Sequence, residues 1–159
     1  MKVLNYDEKI KLFGDPKPQP LGKNGYAKLS EDFLQNIKYF EFPILGRLQF
    51  HTKVFHQLYN ALKTIEEKYL VKEIDVSLSK RMGGTFVPRY QRWDSSKPLS
   101  SHAFGIAIDL FSLGSEGVLG KVKWSNEFIK IFEDNGFCWG GNFKSFYDPI
   151  HFEICKIII

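Results

Sequence analysis

The stretch that most constrains this chain is residues 101–109, which read SHAFGIAID. Aliphatic residues occupy every second position from 106 to 110, and side chains on a strand alternate between its two faces. The pattern therefore predicts a strand on which Asp109 points away from the aliphatic side chains. Before this strand, Gly105 can take backbone angles that other residues resist, so the chain could turn there and bring His102 back towards Asp109.

A second stretch, DPIHFE at residues 148–153, predicts a strand with His151 and Glu153 on one face. If the two strands pair, His151 can reach the point shared by the first histidine and aspartate. Two imidazoles and one carboxylate are the ligand set of a catalytic zinc site, which keeps a fourth position for water. Asp148 would then be close enough to act on that water, and Glu153 would orient a ligand. A histidine is also often structural, and the spacing HxxxxxxD arises by chance, so these residue types alone leave both interpretations open.

Four motifs carry a likeness to a known family. They are GGTFVPR at residues 83–89, SxHxxGxAxD at 100–109, GFCWGG at 136–141 and DPxHFE at 148–153. In this order they resemble the zinc D-alanyl-D-alanine carboxypeptidase family, which also contains L-alanyl-D-glutamate endopeptidases of bacteria and phages. The likeness extends over roughly residues 50 to 155, about two thirds of the chain.

The resemblance implies specific roles. His102, Asp109 and His151 would be the zinc ligands, and Asp148 the catalytic acid and base. It also implies an α+β fold of the hedgehog/D-Ala-D-Ala peptidase type, in which an antiparallel sheet carries the zinc and helices pack against it. This chain has Asn142 where relatives often carry aspartate after the double glycine, a departure that bears on the substrate more than on the chemistry.

Arginines precede the first motif. A guanidinium can clamp a substrate carboxylate with two hydrogen bonds, or stabilise the oxyanion that forms when an amide is attacked. In the family an arginine upstream of the histidine motif serves the substrate. Arg89 is the first candidate, Arg92 the second and Arg81 the third, and all three could also be ordinary surface residues.

Composition fits one globular domain. The chain has 159 residues, 43% hydrophobic and 25% charged, with a formal net charge of +4. The charge would suit nucleic acid or an anionic cell wall, but the basic residues form no long run and no nucleic-acid motif is present. The N-terminal residues lack the apolar core of a signal peptide, and no stretch could span a membrane. We therefore expect a protein made in the cytoplasm that reaches the bacterial wall after lysis or by non-classical export.

Hydrophobic periodicity and the positions of Gly and Pro predict the approximate order of the secondary-structure elements. Residues 1–25, rich in Pro and Gly, predict an extended N-terminal arm, and residues 26–159 a single domain. Cys138 and Cys155 are expected to be buried free thiols, because two cysteines do not make a disulfide framework. The alternative is a bridge between them, which requires that their strands are neighbours. The elements predicted within the domain are a short helix after Ser30, a helix over 51–69, a strand over 73–79, a helix over 125–135, and strands over 137–139 and 150–158.

Together these observations predict a zinc metallopeptidase that acts on the stem peptide of peptidoglycan. The resemblance allows two cleavages, at the internal L-Ala–D-Glu bond, as in phage lysis enzymes, or at a terminal D-Ala. The first is preferred for a single domain without a signal peptide, and we expect a monomer with no membrane or nucleic-acid partner. The alternative is a zinc-stabilised binding module of the same fold that cleaves nothing, in which Asp148 would have no use.

Overall fold

The computed structural model describes all 159 residues, which form a mixed structure of helices and small antiparallel sheets. This agrees with the predicted α+β class. The five helices are α1 (Tyr6–Phe13), α2 (Glu31–Leu34), α3 (Phe55–Glu67), α4 (Val76–Met82) and α5 (Asn126–Asp134). The seven strands are β1 (Gln19–Pro20), β2 (Ala27–Lys28), β3 (Ile37–Phe42), β4 (Gly46–His51), β5 (Ala107–Asp109), β6 (Phe137–Trp139) and β7 (His151–Ile154).

Three separate sheets form, and each is antiparallel. Strand β1 pairs with β2, and β3 pairs with β4 in a hairpin that was not predicted from the sequence. The third sheet has the order β5-β7-β6, so β7 lies in its centre. Its register places Asp109 directly opposite His151, as expected if the two motif strands pair.

The core lies between α3, α5 and the three-stranded sheet. Of the apolar face predicted for the helix at 51–69, Leu58, Leu62 and Ile65 are buried on α3, whereas Tyr69 lies beyond the end of α3 and is exposed. On the other side, Phe132 of α5 stacks on Phe152 of β7, with ring centroids 4.2 Å apart. Adjacent side chains on β7 point to opposite faces, with Phe152 towards this core and His151 away from it. Burial of the Phe152 ring therefore also sets the direction of the His151 side chain.

The N-terminal residues differ from the prediction of an extended arm. Residues 6–13 form α1, which begins at a capping box in which the Asn5 side chain accepts from the Glu8 backbone and the Glu8 side chain accepts from the Asn5 backbone. Phe13 is buried in the same core as the helices of the domain. The Pro and Gly residues that suggested an arm all follow this helix.

The predicted strand at 73–79 is also wrong, since α4 covers most of it. Asp75 takes the N-cap position and its carboxylate accepts a hydrogen bond from the Leu78 amide at 3.0 Å. Aspartate at an N-cap favours a helix start, and this local hydrogen bond outweighs a short alternation of polar and apolar residues.

The two cysteines form a disulfide, which contradicts the expectation of free thiols. Cys138 lies on β6, and Cys155 follows the last residue of β7. Because β6 and β7 are neighbours, the two Cα atoms lie 5.8 Å apart, within the range that a disulfide spans. The bond therefore ties β6 to the strand that carries His151.

Other predicted elements are confirmed with shorter bounds. Helix α2 begins after Ser30 and α5 after Ser125, and each serine side chain accepts a backbone hydrogen bond as an N-cap. The final strand ends at Ile154 rather than at residue 158. None of the helices is both long enough and apolar enough to cross a membrane.

Candidate metal and catalytic site

His102 lies on a short 3₁₀ turn, residues 101–104, just before β5. Gly105 follows with φ of 69°, in the left-handed region that glycine reaches without strain, so the predicted turn is present. A side chain at this position would also collide with Ile37. The turn buries the histidine, which is 3% exposed, and brings its Nε2 to 3.2 Å from Oδ1 of Asp109.

His151 reaches the same carboxylate from the neighbouring strand. Its Nδ1 lies 3.0 Å from Oδ1 of Asp109. One ligand atom from each of His102, Asp109 and His151 falls within 4.8 Å of the other two. The structure thus brings together all three residues that the sequence predicted as metal ligands.

Hydrogen bonds behind the two histidines fix which ring nitrogen faces the cluster. His102 Nδ1 lies 2.8 Å from the Thr85 carbonyl, which can only accept, so this nitrogen carries a proton and Nε2 is the ring nitrogen that faces the cluster. His151 Nε2 lies 2.9 Å from Oε1 of Glu153, as expected for a carboxylate that orients a ligand. The carbonyl of Thr85 was not anticipated, because a backbone group leaves no mark in the sequence.

Asp148 lies beside the cluster at the base of an open groove. Burial raises the pKa of its carboxyl above the ordinary value, and the negative charge of Asp109 acts in the same direction, against the opposing charge of His151. Gly140 lets the turn that carries Asp148 pack closely, because a Cβ at position 140 would overlap the Asp148 carbonyl oxygen. A half-buried carboxylate with a raised pKa is suited to exchange protons with water.

Strong charge coupling holds the cluster together in the absence of metal. Burial favours the neutral forms, but the two histidines hold the pKa of Asp109 well below its usual range. Burial also opposes charge on His151, yet the hydrogen bonds and charges of Asp109 and Glu153 raise its pKa to about 10. The metal-free site therefore holds a charged imidazole between two carboxylates.

This coupling predicts how the stability of metal-free protein depends on pH. The folded pKa of His151, about 10, exceeds the ordinary 6.5, so its contribution is fully present below pH 6.5 and is lost as pH rises towards 10. The pKa of Glu153 falls from 4.5 to about 2, so its contribution is present above pH 4.5 and is lost on acidification. We expect the largest stabilisation between pH 4.5 and pH 6.5.

Urea unfolding in a chelator across this pH range measures the effect. The free energy of unfolding of wild type minus that of His151→Gln isolates the histidine from all other titrating groups. The difference should shrink steadily above pH 6.5. A difference that grows on the alkaline side would contradict the charged imidazole.

Arg89 lines the same groove as Asp148 and His151. Burial lowers the pKa of its guanidinium, while the charges of Asp109 and Asp148 act in the opposite direction. Its guanidinium carbon also lies 5.0 Å from the ring centroid of Trp93. Arg89 is therefore held near the cluster between an aromatic face and two carboxylates.

Arg92 and Arg81 are placed differently. Arg92 lines the groove and lies over the ring of Phe146, 5.2 Å from its centroid. Arg92 and Trp93 both have positive φ, 52° and 58°, a conformation that is uncommon outside glycine, and both side chains line the groove. Arg81 lies exposed at the end of α4 and does not line the groove.

The groove has a volume of about 820 Å³, and one of its walls was not predicted from the sequence. The N-terminal residues 2–6 and Lys9 form that wall, and residues 142–146 form part of the rim opposite. The capping box of α1 was a readable signal for the helix, but nothing local indicated where it would pack.

The remaining histidines take no part in the site. His51 Nε2 lies 2.9 Å from the Phe13 carbonyl, and His56 Nε2 lies 2.9 Å from the Ile158 carbonyl. His51 belongs to β4 rather than to the helix over 51–69. Both contacts tie distant chain segments together.

Comparison with protein families gives one match. Residues 93–154 match the family model described as D-alanyl-D-alanine carboxypeptidase, which confirms the predicted resemblance to this peptidase family. The matched segment contains the three clustered residues and Asp148. It is shorter than the span over which the motifs extended the likeness, and Arg89 and Arg92 lie before it.

Among solved structures, the chain is similar to the crystal structure of the Serratia marcescens L-Ala D-Glu endopeptidase ChiX. The sequences are 16% identical, and the match covers 66% of this chain and 80% of that chain with a TM-score of 0.34. A TM-score of this size does not establish a common fold, so the chemistry of the site rests on its own geometry.

Proposed function

We propose that this protein is a zinc-dependent peptidase that hydrolyses a bond in the stem peptide of peptidoglycan. The observation that carries the proposal is the convergence of His102, Asp109 and His151 into one cluster. Of these three, His151 lines an open groove together with Asp148. The family match over the same residues supports a peptidase, and peptidoglycan is the substrate that the family implies. Such a substrate places the action of the protein at the bacterial cell wall.

The residues present fit a zinc ion. His102 Nε2 is buried and has no hydrogen-bond partner, although Asp109 Oδ1 is 3.2 Å away. A buried nitrogen without a partner is costly, and a metal would satisfy it. Two imidazoles and a carboxylate match the donor preference of zinc and leave one position open, which is the arrangement of catalytic rather than structural zinc sites.

Zinc bound there supplies a Lewis acid that lowers the pKa of a coordinated water and polarises a peptide carbonyl. Asp148 then accepts the proton of the attacking water and returns it to the leaving amine. Burial supports this role, because a raised pKa makes the carboxylate a better proton acceptor near neutral pH. The Asp148 amide donates a hydrogen bond of 3.0 Å to the Gly140 carbonyl, which holds the backbone of Asp148 in place.

Arg89 is the residue proposed to stabilise the oxyanion or to hold a substrate carboxylate. It is half-buried and lies close enough to Asp109 and Asp148 for their charges to affect its pKa. Arg92 is proposed to bind a more distant carboxylate of the peptide, because it stands at the rim on Phe146. Neither arginine would touch the metal.

We favour the internal L-Ala–D-Glu bond over a terminal D-Ala. A groove of about 820 Å³, lined by the N-terminal segment and by residues 142–146, is larger than the binding of a single terminal residue requires. Removal of a terminal residue calls for a closed end that holds a free carboxylate. We further propose a peptidase domain of hedgehog/D-Ala-D-Ala peptidase type, with zinc on the sheet β5-β7-β6 and α1 packed into the same core.

The test pairs metal content with cleavage. Purified protein is analysed for zinc and incubated with purified peptidoglycan, and released amines are followed by chemical labelling and mass spectrometry. We expect one zinc per chain and new amino termini at D-Glu. Release of free D-Ala instead would identify a carboxypeptidase. Zinc binding without cleavage would indicate a binding module, and absence of zinc binding would overturn the proposal.

A further inference from the structure

Helix α1 buries a lysine at the candidate site. Lys9 is 4% exposed, whereas Lys11 on the same helix is exposed. Lysine is rarely buried so completely unless its ammonium is paired, because desolvating a charge is costly. The Lys9 Nζ donates a hydrogen bond of 2.7 Å to Ser101 Oγ, the residue before His102.

From Ser101 a continuous chain of hydrogen bonds leads to His151. Ser101 Oγ donates to Oε2 of Glu153 at 2.8 Å, and Oε1 of the same carboxylate lies 2.9 Å from His151 Nε2. Lys9 Nζ also lies 3.6 Å from Oε2 of Glu153, and both side chains are buried. Each link is made between buried groups, so the orientation of one restricts the next.

We propose that Lys9 is a positioning residue that fixes Glu153, and through it His151, for metal binding. A metal-binding imidazole needs an acceptor for its other N–H, and that acceptor sets the ring orientation. Glu153 is the acceptor here, and Lys9 with Ser101 holds its second oxygen. The inference rests on the zinc site proposed above and adds a residue that lies far outside the segment matched by the family, 93–154.

The N-terminal helix is anchored firmly enough to hold the lysine in place. The capping box at Asn5 fixes where the helix starts. Phe13 is buried in the core at the other end, and Tyr6 packs edge-on against Phe104 with centroids 5.8 Å apart. With both ends of the helix fixed, the Lys9 side chain is directed at Ser101.

Zinc affinity of the full chain, measured by competition with a chromogenic chelator, tests the inference. We expect Lys9→Met to weaken zinc binding by about 10–100-fold, the usual effect of removing a group that orients a metal ligand. Lys11→Met, which changes an exposed lysine on the same helix, is the matched control and should bind zinc as wild type does. Lys9→Arg, which keeps the charge, should recover part of the loss.

A double-mutant cycle separates positioning from a general loss of folding. Ser101→Ala removes only one hydroxyl, so it probes the chain of hydrogen bonds even if Lys9→Met folds poorly. If the two residues act as one unit, the double variant should bind zinc about as weakly as the weaker single variant rather than showing the product of both losses. Circular dichroism of metal-free protein checks that each variant is folded.

The outcomes distinguish this inference from the function on which it rests. If wild type binds no zinc, the proposed function fails and the role of Lys9 fails with it. If wild type binds zinc and folded Lys9→Met and Ser101→Ala bind it equally well, only the positioning role is overturned. Additive losses in the double variant, or zinc binding by Lys9→Arg as weak as that of Lys9→Met, would also contradict it.

Discussion

Asp148→Asn is expected to lower the rate of peptide hydrolysis by about 10²–10⁴-fold while zinc stays bound, as for loss of a general base. Asparagine has nearly the same shape, so the backbone packing against Gly140 is retained. It cannot take a proton from water, and its amide cannot deliver one to the leaving amine. The measurement is amine release from peptidoglycan at saturating zinc, with zinc content determined on the same sample.

Asp134→Asn is the matched control for this change. Asp134 ends α5, where it pairs with Lys130 on the surface, and exposed pairs of this kind contribute little. It should keep full activity. Full activity in Asp148→Asn would remove this residue from the mechanism, and loss of zinc in that variant would reassign it as a ligand.

His102→Ala is expected to weaken zinc binding by more than about 100-fold, since even residues that only orient a ligand cost roughly 10–100-fold. The change removes one of three donors and leaves a space of imidazole size at a position that is 3% exposed. It also leaves the Thr85 carbonyl without its donor, which costs about 1–3 kcal/mol of folding stability. Isothermal titration with zinc and urea unfolding of metal-free protein measure the two effects separately.

A second ligand variant and a control make this result specific. Asp109→Asn keeps the size of the side chain and removes its charge, so weak zinc binding there cannot be attributed to a cavity. His56→Ala removes a histidine that contacts the Ile158 carbonyl away from the site, and it should bind zinc normally. Zinc binding at wild-type strength in both ligand variants would show that the metal lies elsewhere.

The direction of each donor side chain could be predicted from the sequence because it depends on local geometry. Alternation along β5 and β7 sets which side chains share a face, and one glycine before β5 returns His102 to Asp109. Strand pairing then needs a single register, which burial of the apolar face enforces. These rules do not state that β5 pairs with β7, and the assignment of the three donors as ligands came from the resemblance to the family.

The groove wall and the lysine network could not be predicted in this way. Lys9 and Ser101 are 92 positions apart, and the hydrophobic periodicity of α1 does not indicate which distant residue the Lys9 side chain will contact. The disulfide was missed because the sequence does not state that β6 and β7, which bring Cys138 and Cys155 together, are neighbouring strands. Helix α4 was missed for a different reason. The segment is too short for its alternation of polar and apolar residues to indicate a strand, and the N-cap hydrogen bond of Asp75 favours a helix.

The close packing at Gly140 has a consequence for saturation mutagenesis of this protein. A methyl group at Gly120 would meet nothing within 4 Å, whereas one at Gly140 would overlap the Asp148 carbonyl oxygen and lie 3.0 Å from the His151 Cβ. Selection for activity should therefore tolerate alanine at the first glycine and reject it at the second. A residue without a side chain would then score like a catalytic one, although it contributes only the space that two functional residues require.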